Sequence, residues 1–141
     1  MSAWSFPVRA GQLIELDTLE CRRLLASGAV GRLGYNAPGG SRIVPVNYTL
    51  LPDAVVFRTT VTGEIAEHGL GRPVAFEVDD VDLFLRSGWS VLVTAELVEL
   101  SGDAVRLLSV QETGQPWASG DRSLFCSVSL TGVTGRRVLA G

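Results

Sequence analysis

All 12 basic residues of this chain are arginine, and that choice sets what its cations can do. A guanidinium keeps its charge and offers a planar fork of donors, so a single arginine can hold a phosphate or a carboxylate. The overall balance, a formal net charge of −3, gives no general pull toward a phosphate backbone and argues against nucleic acid as a partner. The other chemistry-bearing residues are sparse. His68 is the sole histidine; with no cysteine or carboxylate at ligand spacing it reads as a surface or loop residue rather than a metal ligand. Asp79, Asp80 and Asp82 lack the glycine and distal glutamate that a calcium loop needs in register, so they read as a solvated acidic turn. Cys21 and Cys126 stand far apart without CxxC spacing, and no signal-peptide order opens the sequence. Together these predict a cytoplasmic chain with reduced thiols. There is no nucleophile elbow, Walker loop or GxGxxG, so hydrolase and Rossmann-type readings have no support.

The elements that must position any site follow from patterning. A chain of 141 residues can bury a core without disulfide or metal staples, which predicts one domain over 1–141. At 46% apolar and 19% charged it is rich for a monomer, so part of its surface is expected to be covered by a second copy. No apolar run approaches the roughly 20 residues that cross a bilayer, and no membrane is expected as a partner. Residues 1–15 read as an N-terminal arm. Asp17 and Glu20 have capping-box spacing and predict a helix from about Asp17 to Ser27, with Cys21, Leu24 and Leu25 on its apolar side and Gly28 ending it in a left-handed conformation. From Ala29 the period becomes two. The runs Ala29 to Tyr35, Arg42 to Leu51 and Ala54 to Thr60 predict a three-stranded meander, turning at Asn36 to Gly40 and at Pro52-Asp53. A loop and short helix over Val61 to Arg72 precede a strand at Val74 to Val78, the acidic turn, and a central strand from Trp89 to Leu100. A short helical piece to Leu108 comes next, then a loop with Pro116 and Trp117, and a last strand from Arg122 to Val138 bent at Gly132 or Gly135. About six antiparallel strands with short helices favour a closed barrel that hides its edges.

Three segments in this order carry a resemblance: Ile43-Val44-Pro45-Val46-Asn47-Tyr48; Val56-Phe57-Arg58-Thr59-Thr60 with Gly63; and Val74 to Asp79 with Ser87-Gly88-Trp89-Ser90-Val91. Pro116-Trp117-Ala118 and Val133 to Arg137 add to it. The chain resembles the pyridoxamine 5'-phosphate oxidase-like, flavin-binding split-barrel superfamily, near its small actinobacterial members. The resemblance implies a mainly β fold, a six-stranded antiparallel split β-barrel of FMN-binding type with short peripheral helices. It also implies a homodimer whose subunits share a cofactor cleft, and an oxidoreductase moving hydride to or from a small-molecule substrate.

Carried over by position, Arg58, Thr59 and Thr60, with Gly63, would hold the phosphate of FMN. A guanidinium and two hydroxyls supply charge and short donors together. Pro45, Val46, Asn47 and Tyr48 would lie beside the isoalloxazine ring, although Tyr48 reads equally well as core through its alternation with Val44, Val46 and Leu50. Trp89 and Ser90, after Gly88, would approach the cofactor; Trp117 and Arg122 would reach the partner's. One position departs from the pattern: where the superfamily often has a phosphate-contacting lysine, this chain has Glu64. Other readings stay open at this stage. One is a reductase using the deazaflavin F420; another is a flavin- or haem-binding protein without enzymatic activity, or a barrel without cofactor.

Overall fold

The computed structural model of the chain describes residues 10–108 and 121–141. Strand β1 (Gln12–Leu16) leads into helix α1 (Thr18–Ala26). The carboxylate of Asp17 caps that helix by accepting from the Glu20 backbone N–H at 2.8 Å, satisfying one of the four donors a helix start leaves unpaired. Cys21, Leu24 and Leu25 are buried, as their spacing predicts. The helix ends differently from expectation. Ser27 is the C-cap, its hydroxyl donating to the Leu24 carbonyl at 2.6 Å, and Gly28 is not in the left-handed region. Gly28 serves close packing instead: a Cβ there would lie 2.5 Å from the Tyr48 hydroxyl oxygen.

The meander follows as β2 (Val30–Ala37), β3 (Gly40–Leu50) and β4 (Ala54–Thr59), with neighbours antiparallel. Gly39, at φ +89°, makes the tight β2–β3 turn, a backbone region that side-chain-bearing residues rarely adopt. Helix α2 (Glu64–Gly69) separates β4 from β5 (Pro73–Asp82), which pairs with β6 (Ser87–Glu99). The carboxylates of Asp79, Asp80 and Asp82 therefore sit on a strand, correcting the acidic turn expected there. Cross-strand pairing with Ser87 to Ser90, and Arg32 bridging Glu77 at 3.2 Å and Asp79 at 2.9 Å, let the acidic run stay extended. The turn itself falls on apolar residues, with Leu83 and Phe84 exposed.

After helix α3 (Gly102–Arg106) come β7 (Leu124–Ser129) and β8 (Val133–Leu139), divided by a 3-10 turn at Leu130–Gly132. The long last strand expected from the sequence is thus two strands, broken at Gly132 and not at Gly135. A Cβ on Gly132 would lie 2.5 Å from the Thr94 carbonyl oxygen, so the chain crosses β6 closely there. Both pieces pair along one edge of β6: β8 with Gly88 to Val93, β7 with Leu97 to Glu99. That exchange of partners closes β6-β5-β2-β3-β4-β7 into a six-stranded antiparallel barrel, and β8 and β1 extend the sheet outward from β6. The interior is apolar. Phe57, Phe76, Leu25, Leu33, Leu97 and Val91 are fully buried, each large side chain contributing about 1.5–3 kcal/mol of transfer free energy. Tyr48 meets Phe76 edge-on with ring centroids 5.0 Å apart. Among the described residues no helix is long and apolar enough to cross a membrane.

Candidate functional site

Where β4 runs out of the barrel wall its sequence turns polar, and α2 begins four residues after Thr60. The N–H of Gly63 donates to the Thr60 carbonyl at 3.3 Å, folding the connection back on itself. A Cβ at Gly63 would lie 2.4 Å from the Thr60 hydroxyl oxygen, so this turn has no room for a side chain. The bend opens a cavity of about 320 Å³. Strand β3 contributes Val44, Pro45, Val46 and Asn47 to its lining; β4 and the turn contribute Arg58, Thr59, Thr60 and Gly63. Tyr35 of β2, Glu64 and Ile65 of α2, and Arg122 ahead of β7 complete it.

Two cations meet here. The Nε of Arg58 donates to the Arg122 carbonyl at 2.9 Å, and the Arg58 guanidinium lies over the Phe125 ring, 4.9 Å from its centroid. Those contacts fix the Arg58 stem and use one of its five donors. Arg122 brings a second guanidinium whose Nε is buried and has no hydrogen-bond partner among the described residues. A buried charged donor without an acceptor is costly.

The carboxylate-bearing Glu64 lines the same cavity. Its Oε1 accepts from the Tyr35 hydroxyl at 3.0 Å and pairs with Arg42 Nε at 3.1 Å. Tyr35 and Arg42 are direct cross-strand partners on β2 and β3. Burial pushes the Tyr35 phenol up from its ordinary range, and the hydrogen bond and charge of Glu64 push the same way, so Tyr35 stays a neutral donor.

Eight residues expected at a site from the sequence come together around this cavity: Pro45, Val46, Asn47, Arg58, Thr59, Thr60, Gly63 and Arg122. Tyr48 does not line it. That side chain is buried in the barrel, donating its hydroxyl to the Leu25 carbonyl of α1. Trp89 and Ser90 line a separate groove of about 410 Å³ with Glu77, Asp79, Arg86 and Arg136. Trp117 lies outside the described residues. Tyr35 and Arg42 were not singled out by sequence reasoning. The signal that finds them is the β2–β3 register: once the turn is placed at Pro38-Gly39, residues 35 and 42 fall opposite each other.

Comparison with known proteins bears on the family and the fold. The family described as pyridoxamine 5'-phosphate oxidase matches residues 17–137. An uncharacterized protein of Mycobacterium tuberculosis is 33% identical over 139 residues, covering 95% of this chain and 91% of its own. Among solved structures, the FAD binding protein from Mycobacterium smegmatis superposes with a TM-score of 0.68 at 27% identity, covering 89% of this chain and 98% of its own. A putative pyridoxamine 5'-phosphate oxidase from Corynebacterium glutamicum gives 0.73 at 25% identity, covering 92% and 95%.

Proposed function

The chain belongs to the pyridoxamine 5'-phosphate oxidase family, and from that premise we propose that it is a homodimeric, cytoplasmic oxidoreductase that binds FMN with its phosphate in the cavity beside Arg58. The observation that carries the reading is the convergence of Arg58 and Arg122 on one small cavity that Thr59 and Thr60 also line. Two guanidiniums and two hydroxyls suit a phosphate group. A flavin, when bound, supplies the hydride or electron transfer through its own ring, which leaves the protein to orient it and exclude water.

In this reading Arg58, Thr59 and Thr60 hold phosphate oxygens at the turn that Gly63 keeps open. Pro45, Val46 and Asn47 flank the ring's polar edge. Trp89 and Ser90, which line a different groove of the same chain, act on the cofactor of a second copy, as does Trp117; this is why the reading requires a dimer. Both cysteines are free and buried, which suits a reducing compartment. A second reading has FAD in place of FMN. Two separate guanidiniums at one cavity suit a diphosphate as well as a monophosphate, and the Mycobacterium smegmatis relative binds FAD.

Titration of the apoprotein with FMN, FAD and riboflavin tests the reading. FMN or FAD should bind at least about tenfold more tightly than riboflavin, a difference of 1.4 kcal/mol; equal affinity for all three removes the phosphate from this cavity. The absorption spectrum of purified protein separates a flavin from a deazaflavin such as F420, which absorbs at shorter wavelength, and from haem with its Soret band. Light scattering should give twice the monomer mass. A strict monomer that still binds flavin tightly would exclude the shared cleft.

A further inference from the structure

Among the described residues the cavity is lined by one carboxylate, and a carboxylate within a few ångströms of a phosphate opposes its binding. Glu64 lines the same cavity as Arg58 and Arg122. Left alone it would cancel one of their two positive charges. It is not left alone, because Arg42 Nε meets its Oε1 at 3.1 Å. Arg42 is not among the lining residues; it sits behind the carboxylate, on β3 just after the glycine turn. Its two terminal nitrogens donate to the carbonyls of Gly40 and Pro38, each at 3.2 Å. The turn thus grips the guanidinium from one side and leaves Nε to face α2. From β2, the Tyr35 hydroxyl reaches the same Glu64 oxygen.

We propose that Arg42 is a positioning residue for the anion site: held by the β2–β3 turn, it neutralises Glu64 and, with Tyr35, fixes its carboxylate, so the cavity keeps the full charge of Arg58 and Arg122 for a phosphate-bearing ligand. The inference rests on the phosphate reading of the cavity given above. It also accounts for how this chain tolerates an acidic residue there, since the compensating cation comes from a neighbouring strand. With the Arg42 and Glu64 side chains 40% and 47% exposed, the pair adds little to folding stability. Loss of Arg42 should therefore be felt in ligand affinity more than in stability.

The test measures dissociation constants for FMN and riboflavin with the wild type, Arg42→Ala, Arg42→Lys and the double variant Arg42→Ala/Glu64→Gln, at low and high salt. Unmasking one charge several ångströms from the phosphate should weaken FMN binding by Arg42→Ala about five- to tenfold, with riboflavin unaffected and the loss shrinking as salt rises. Arg42→Lys, which keeps the charge, should recover most of the affinity. The double variant should return to within about twofold of wild type, because Glu64→Gln removes the charge that Arg42 offsets and keeps an acceptor for Tyr35. Equal losses for FMN and riboflavin in Arg42→Ala, no loss, or a double variant no better than Arg42→Ala would each overturn the proposal while leaving the phosphate site intact. A wild type that binds FMN no more tightly than riboflavin would instead sink the phosphate reading, and this inference with it.

Discussion

Tyr35 and Tyr48 stand on neighbouring strands, both buried, at 6% and 5% exposure, and both donate a hydroxyl hydrogen bond. Their partners separate them. Tyr48 donates to the Leu25 carbonyl at the end of α1 and packs edge-on against Phe76, joining helix to barrel inside the apolar core. Tyr35 donates to a half-exposed carboxylate on α2, at the lining of the polar cavity. The surroundings of Tyr48 are therefore apolar packing around a backbone acceptor, and those of Tyr35 a network of charges beside a cavity. Residue type and burial do not distinguish a structural tyrosine from one at a site; the charge state and accessibility of its acceptor do.

The largest effect that sharpens this contrast is expected at the cavity. Arg58→Ala should weaken FMN binding about tenfold to a hundredfold, since a hydrogen bond to a charged group is worth about 1.5–3 kcal/mol. Arg106→Ala, which removes a surface partner of Asp103, should leave titrations unchanged; equal losses would remove Arg58 from the phosphate. In the core around Tyr48, Gly28→Ala must push a methyl group against the Tyr48 hydroxyl. Overpacking of this kind costs about 1–3 kcal/mol, read as a lower urea midpoint with flavin affinity of the folded fraction unaltered. A Gly28→Ala protein of wild-type stability would show that the packing around Tyr48 yields freely.

Tyr48→Phe should cost about 1 kcal/mol by removing one hydrogen bond to the Leu25 carbonyl, which keeps the Gly28 N–H at 3.3 Å. It should also change the alkaline stability profile. Burial pushes the Tyr48 phenol up to about 12, against about 10 in an unfolded chain. The unfolded state loses this proton first, so the contribution of Tyr48 to stability is constant below about pH 10 and falls between about pH 10 and 12, on top of the fall that the buried thiol of Cys126, also pushed up to about 12, contributes in both proteins. Tyr48→Phe should make that fall shallower, and an unchanged slope in denaturation curves across this window would mean residue 48 titrates normally. The smallest effect is expected from Tyr35→Phe: about 0.5 kcal/mol of stability, with FMN affinity falling less than in Arg42→Ala because Arg42 still holds Glu64. A loss of stability matching Tyr48→Phe would erase the distinction between the two tyrosines.

Much of this was legible in the chain before its fold was known. Period-two patterning marked the meander and the central strand; the Asp17 and Glu20 spacing marked α1; the turn residues put the β2–β3 hairpin where it lies. These are local properties, set by which side chains alternate and which backbone angles a turn demands. The segments containing Pro45 to Asn47 and Arg58 to Gly63 also stood out, and they do meet at one cavity. What sequence could not supply was the pairing. It read Asp79 to Asp82 as a turn because like charges in a row look solvated, whereas Arg32 from β2 and the strand opposite hold Glu77 and Asp79 extended. It read one strand after Arg122 because nothing local shows that Gly132 must pass within van der Waals distance of Thr94 on β6. It weighed Tyr48 as a site residue and passed over Tyr35, because alternation assigns both to an inner face without saying what waits there. Composition and period thus determined the elements and the barrel class, while tertiary structure alone decided which tyrosine faces a carboxylate and that Arg42 reaches Glu64, since such contacts depend on register between segments far apart in the chain.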